Sequence, residues 1–235
     1  MYRSEIGFHL VICDGMKNAP YALTVHTFTQ NKDNDYAMDH YLQSFWIKLL
    51  LYLAHYIDSR ISTSGQHSSQ VAEWVKSTAL KMNCDEDETR RIYWAALLHD
   101  IGKIGVPDKV LSKPGPLTEE EWEVMKLHPT VGSNIVQSLK PISHIAPVIY
   151  SHQEKYDGTG YPEGLRGEEI PIGARILTVV DAYDAMTTNR RYRRSRSHQE
   201  AVNELRQQRG KHFDPKVVEA FLEVIPVSAN TAILN

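Results

Sequence analysis

From Asp39 onward apolar residues recur three and four positions apart, and strand-like alternation is nearly absent after residue 40. The segment 39–60 reads as an apolar helix. The next, 70–82, repeats apolar side chains at Val71, Val75, Ala79 and Met82, one face of a core helix. The segment 86–100 opens on Glu86, Asp87 and Glu88, where acids suit the positive end of a helix dipole, and it closes on AALLHD.

Stop and start signals divide the rest. Thr118 with Glu121 makes a capping box, and Leu117 against Trp122 makes a hydrophobic staple, so a helix begins at Glu119. Pro129 suits a first helical position and puts His128 at the mouth of another helix. Residues 173–188 carry Ile176, Val179, Val180 and Tyr183 on one face. Ser197 with Glu200 caps a helix that Gly210 ends, and Asp214 before Pro215 opens the last. Two loops crowded with Gly and Pro, 105–117 and 157–173, interrupt the series. Ahead of it, ALTVHTF (22–28) reads as one alternating strand and QNKDND (30–35) as a polar loop. The pattern predicts an all-α helical bundle behind a short N-terminal extension.

Composition narrows the partners. The 235 residues carry 26 Lys+Arg against 29 Asp+Glu, a formal charge of -3, with no overall attraction to duplex nucleic acid or an anionic membrane. The most apolar stretch, 45–57, is too short to span a bilayer and contains Lys48 and His55. Glu5 stands where a signal peptide needs apolar residues, so the chain reads as cytoplasmic. Two cysteines, Cys13 and Cys84, form no CxxC, whereas there are 11 histidines. Any metal must therefore sit on imidazole and carboxylate.

The strongest chemical signal is HDIGKIGVP (99–107) at the end of an apolar helix. There His99 offers an imidazole, Asp100 a carboxylate able to bridge two cations, and Lys103 a mobile charge for a phosphate. Alone, the pair reads more simply as a buried His–Asp hydrogen bond before a glycine cap. Four further candidates accompany it: His67, His128 in HPTVG, His152 in SHQEKYDGTGYP, and Asp181, a carboxylate placed directly after the apolar run ILTVV.

These blocks, in this order, resemble the HD-GYP family of the HD phosphohydrolase superfamily over about residues 45–225: His67 before QVAEWV, HDIGKIGVPDKVL, HPTVG, HQEKYDGTGYPEGLRGEEIPIGARIL, and DAYDAMTTNRRYRRSRS leading to HFDPKVVEAFL. The resemblance makes 1–44 an extension of unassigned role and 45–235 the domain. It implies a helical bundle with a two- or three-metal centre that hydrolyses cyclic di-GMP, a bacterial second messenger, to linear pGpG or on to GMP. It makes His67, His99, Asp100, His128, His152 and Asp181 the metal ligands, with Asp100 bridging. Lys103 would meet the scissile phosphate, and Arg190 and Arg193 would meet phosphate or guanine. Asp184, one turn from Asp181, would support the centre from behind. Gly160, Tyr161 and Pro162 would shape the rim and contact partner domains, a diguanylate cyclase among them.

Two departures stand out. Many members have two consecutive histidines where this chain has His152 followed by Gln153, which becomes either a weak carbonyl ligand or a spectator. Three-metal members carry a glutamate where this chain has Thr63. The expectation is therefore two divalent ions, with iron or manganese preferred over zinc on these ligands. Two alternatives stay open. The substrate is another cyclic dinucleotide such as 3′,3′-cGAMP, or the domain turns over poorly and serves as a nucleotide-sensing or interaction module.

Overall fold

The computed structural model of the chain describes residues 32–61, 67–188 and 195–225. It comprises two compact units, residues 1–48 and 49–235. The ten α-helices among the described residues are α1 (Lys32–Ile61), α2 (His67–Lys81), α3 (Glu86–Leu98), α4 (Asp108–Leu111), α5 (Glu119–Lys126), α6 (His128–Gln137), α7 (Ala146–Ser151), α8 (Ile172–Thr187), α9 (His198–Gln207) and α10 (Pro215–Val224). Those residues contain no β-strand, only isolated bridges at Asp157–Arg166 and Arg209–Phe213. No helix of theirs is long and apolar enough to cross a membrane.

The core of the larger unit is α2, α3, α8 and α10, packed against one another. Small side chains at the contacts, Ala72, Ala79, Ala95, Ala96 and Ala174, are fully buried and let the axes approach closely. Ile92, Leu98, Ile176, Leu177 and Phe221 fill the space between. Trp74 and Phe221 both stand edge to face on Tyr183, with centroids 5.5 and 5.2 Å away, which locks α2, α8 and α10 together. A buried ion pair, Arg175 Nη1 to Asp214 Oδ2 at 2.7 Å, joins α8 to the N-cap of α10.

Most boundaries follow the sequence signals. Thr118 and Glu121 form the capping box of α5, Ser197 and Glu200 that of α9, Asp214 caps α10, and Gly210 takes a positive φ of 75° beyond α9. Two boundaries differ from expectation. Helix α1 begins at Lys32, so residues 32–35, expected as loop, are helical. Helix α2 begins at His67 rather than at 70. The Asp58 carboxylate, on α1, accepts the Ser68 N–H at 2.9 Å and hydroxyl at 3.0 Å, a cap supplied from ten residues upstream. The expected strand at 22–28 lies outside the described residues.

Gly102 sets a crossing that matters for the site. A Cβ there would lie 1.9 Å from the His128 carbonyl oxygen and 2.5 Å from the Gly132 nitrogen. Only glycine lets the turn Ile101–Gly105 lie flat on α6.

Candidate metal centre

Four imidazoles converge where helices end or begin. His99, His128 and His152 each follow the last turn of a helix (α3, α5, α7), and in each Nδ1 lies against the carbonyl three residues back: Ala96 at 2.8 Å, Met125 at 2.7 Å, Ile149 at 2.6 Å. A carbonyl can only accept, so each Nδ1 carries the proton. Every Nε2 then presents a bare lone pair. For His67 the partner is a carboxylate: Nδ1 lies 2.6 Å from Asp184 Oδ2, with Asp184 itself buried.

Those lone pairs face a common space. His67 Nε2 is 3.2 Å and His99 Nε2 3.9 Å from Asp181 Oδ1. Asp100 lies between two halves: its Oδ2 is 3.5 Å from His99 Nε2, and its Oδ1 is 3.7 Å from His128 Nε2. Two groups of donor atoms result, His67–His99–Asp100 and Asp100–His128–His152, each with its atoms within 4.8 Å of one another. Asp100 belongs to both.

The electrostatics suit a cation. His128 Nε2 and His152 Nε2 stand 3.2 Å apart, and with both protons on Nδ1 two lone pairs point at each other. Burial, reinforced by Lys103, pushes His128 down to about 4, and burial with its imidazole neighbours pushes His152 down to about 3, so neither ring relieves this by protonation at neutral pH. His99 Nε2 and Asp100 Oδ1 are buried without a hydrogen-bond partner, an arrangement that costs several kcal/mol, roughly, unless something fills it. The donor set fits divalent metal, and its His/Asp clusters suggest such binding.

Carboxylate pairing tunes the other half. Burial alone would lower His67, but the hydrogen bonds its ring donates to Asp181 and Asp184 outweigh it and raise the ring to about 10. Desolvation likewise opposes ionised Asp181 and Asp100, yet His67 holds the first, and Lys103 with His99 holds the second, well below the ordinary carboxylate range. Lys103 Nζ reaches Asp100 Oδ2 at 2.6 Å.

The loop 157–164 closes one side. Gly160 lies so close to Glu154 that a Cβ would come 2.5 Å from its Cα. Buried Glu154 accepts the N–H groups of Glu163 (2.7 Å) and Gly164 (3.0 Å) through Oε1 and fastens the loop. Tyr161 hangs between: burial and the nearby Asp100 and Asp181 push its phenol up, keeping it protonated, and its ring meets Trp122 edge to face at 6.1 Å. Pro162 follows through a cis bond. The main-chain carbonyl of Gln153 accepts the Tyr161 N–H at 3.2 Å, so this residue supports the loop through its backbone.

The structure brings the six candidate ligands together, with Asp184 on His67 Nδ1 and Lys103 on Asp100. Arg190 and Arg193, with Arg191, Tyr192 and Arg194, lie outside the described residues, as does Thr63. Sequence reasoning missed Asp58, whose place in the apolar run AHYID was the same signal that marked Asp181. It also passed over Glu154 and Gly102 as working residues.

Comparison with known proteins agrees. The family model of the HD domain matches residues 52–217. A cyclic di-GMP phosphodiesterase of Thermotoga maritima is 41% identical over 180 residues, 76% of this chain and 48% of that protein. A 3′3′-cGAMP-specific phosphodiesterase (number 2) of Vibrio cholerae is 37% identical over 178 residues, 75% of this chain and 34% of the relative. The crystal structure of a cyclic GMP-AMP-specific phosphodiesterase of Vibrio cholerae superposes with a TM-score of 0.58 at 20% identity, covering 75% of this chain and 48% of that one, a likeness of fold. The chain belongs to the HD-domain family, in its HD-GYP phosphodiesterase-like branch. It spans about half or less of the length of the curated relatives it matches.

Proposed function

We propose that the chain is a metal-dependent phosphodiesterase that opens cyclic di-GMP to linear pGpG, with GMP as the product of a second cut. The observation that carries this is the pair of donor groups sharing Asp100, with the Nε2 atoms of four imidazoles turned inward by Nδ1 partners. It supports two ions, one held by His67, His99, Asp100 and Asp181 and one by Asp100, His128 and His152. Iron or manganese suits imidazole with carboxylate.

A phosphodiester anion repels hydroxide and has a poor alkoxide leaving group; a pair of divalent ions lowers the pKa of bound water and neutralises phosphoryl charge. The remaining work falls to the chain. Asp184 holds His67 in one tautomer, and the three backbone carbonyls do the same for the other rings. Lys103, one salt bridge from the centre, neutralises the phosphate, and Arg190 and Arg193 serve the second phosphate or a guanine. The Gly160–Tyr161–Pro162 loop limits water at the rim and offers a contact for a diguanylate cyclase. Residues 45–235 form the catalytic domain, working in the cytoplasm.

The 37% identity to a cGAMP-specific relative supports 3′,3′-cGAMP as the competing substrate, because the donor set does not read the base. Anaerobic purification, metal quantification and product chromatography on both dinucleotides test the reading. Turnover of cyclic di-GMP with about two ions per chain, lost in His99→Ala, is the expected result. Less than about one ion per chain, with no turnover after iron or manganese is restored, overturns it.

A further inference from the structure

His67 is the first residue of α2, where a helix frays most easily, and α2 carries no acid in its first turn to hold that end. Its ring is held from α8, by Asp184 Oδ2 at 2.6 Å from Nδ1 and Asp181 Oδ1 at 3.2 Å from Nε2. The main chain beneath the ring is held from α1. Asp58, only 3% exposed, accepts the Ser68 N–H at 2.9 Å on Oδ2 and the Ser68 hydroxyl at 3.0 Å on Oδ1. That N–H belongs to the peptide unit that carries the His67 carbonyl, so the carboxylate grips the backbone of the candidate ligand itself. Ser68 is buried as well, and bulk water offers no ready substitute for either bond.

We propose that Asp58 is a positioning residue of the metal centre, whose two hydrogen bonds to Ser68 hold the His67 backbone so that Nε2 stays aligned with His99, Asp100 and Asp181. The inference rests on the reading above that these four residues hold one ion. Asp58 is not itself a ligand: Ser68 engages both its oxygens, and neither group of donor atoms includes it. Its influence falls on one ion of the two, because His128 and His152 take their orientation from carbonyls of α5 and α7.

The test titrates manganese into the metal-stripped full chain against a competing chelator and follows the paramagnetic resonance spectrum of the coupled ion pair. His67→Ala marks which ion belongs to its group. Asp58→Ala should weaken that same ion about 10–100-fold, leave the other close to its original affinity, and replace the coupled spectrum with that of a single ion. Ser68→Ala keeps the Asp58 charge but loses the hydroxyl bond, and should weaken the same ion about two- to tenfold. Asp58→Asn keeps the clamp without the charge, its carbonyl accepting the N–H while its amide donates to the hydroxyl, and should retain most of the affinity. The proposal is overturned if both ions weaken together, if Asp58→Asn falls as far as Asp58→Ala, or if Ser68→Ala changes nothing. Should Asp58→Ala fail to fold, the other two variants decide by the same criteria. Two bound ions without hydrolysis of cyclic di-GMP by the unaltered chain refute the hydrolase reading and leave the clamp to be judged by the affinities; an unaltered chain that binds no manganese refutes both.

Discussion

Gly102→Ala isolates one packing contact on which half of the proposed centre depends. The glycine has no positive φ, so alanine meets no backbone objection. The obstacle is steric: the new Cβ would lie 1.9 Å from the His128 carbonyl oxygen, which must retreat by about 1.5 Å to reach ordinary contact near 3.4 Å. That oxygen and the His128 imidazole share a residue at the start of α6. Forcing a methyl into a packed contact costs about 1–3 kcal/mol. For a unit of this size, about 2–4 °C of melting temperature per kcal/mol gives a fall of roughly 2–12 °C. The larger effect should be on the metal. A displacement of about 1 Å is enough to cost on the order of 100-fold in an oriented site. Metal per chain, measured after exhaustive dialysis, should therefore drop by about one ion as the Asp100–His128–His152 group is spoiled and the His67 group kept. Gly105→Ala is the control, because its Cβ would meet only Val131 Cγ1 at an ordinary 3.8 Å. Full metal content and an unchanged melt in Gly102→Ala would refute the argument.

Other perturbations address the remaining parts. Asp184→Asn removes the charged acceptor of His67 Nδ1, and the affinity of the His67 group for manganese should fall about 10–100-fold in competition with a chelator; retention of wild-type affinity denies Asp184 its role. Before loading, His67 is an imidazolium with its pKa raised to about 10, so the pairing with Asp181 and Asp184 stabilises the fold fully below its ordinary 6.5 and is lost as pH rises through about 10. A metal needs the neutral ring, and His128 and His152 are already neutral at pH 7, so binding should release about one proton per chain, seen as a binding enthalpy that varies with buffer; a buffer-independent enthalpy contradicts this. Glu154→Ala removes the acceptor of the Glu163 and Gly164 N–H groups, and hydrogen exchange should speed up at 158–164 while α2, α3 and α8 stay protected. Uniform exchange in both proteins would place the loop's anchor elsewhere.

The helices were legible where their signals are local. The Thr118–Glu121 box, the Ser197–Glu200 box and the Asp214–Pro215 start each need only a few neighbouring residues, and each is present. The centre was legible because its donors sit in blocks whose order and wording are distinctive, although their convergence is a tertiary fact. What escaped depends on contacts between distant segments. The start of α2 moved by three residues because Asp58 caps it from α1, and no local pattern announces such a cap. Gly102 looked like a helix stop but acts as a clearance for α6. Glu154 stood in the quoted block HQEKYDGTGYP, yet its hydrogen bonds go nine and ten residues onward. Trp122 was assigned to a local staple, and its ring also meets Tyr161, thirty-nine residues away in the chain.

The bonds from His99, His128 and His152 to the carbonyls three residues behind them divide each imidazole between two employers. Nδ1 donates to a carbonyl in the last turn of a helix, and Nε2 alone is left for chemistry. An alanine at any of these positions removes both at once, so its dead phenotype confounds a frayed helix with a missing donor. Asparagine places an amide N–H near where Nδ1 stood and nothing where Nε2 stood. His→Asn at these three positions is thus the substitution that separates the architecture of the site from its reactivity.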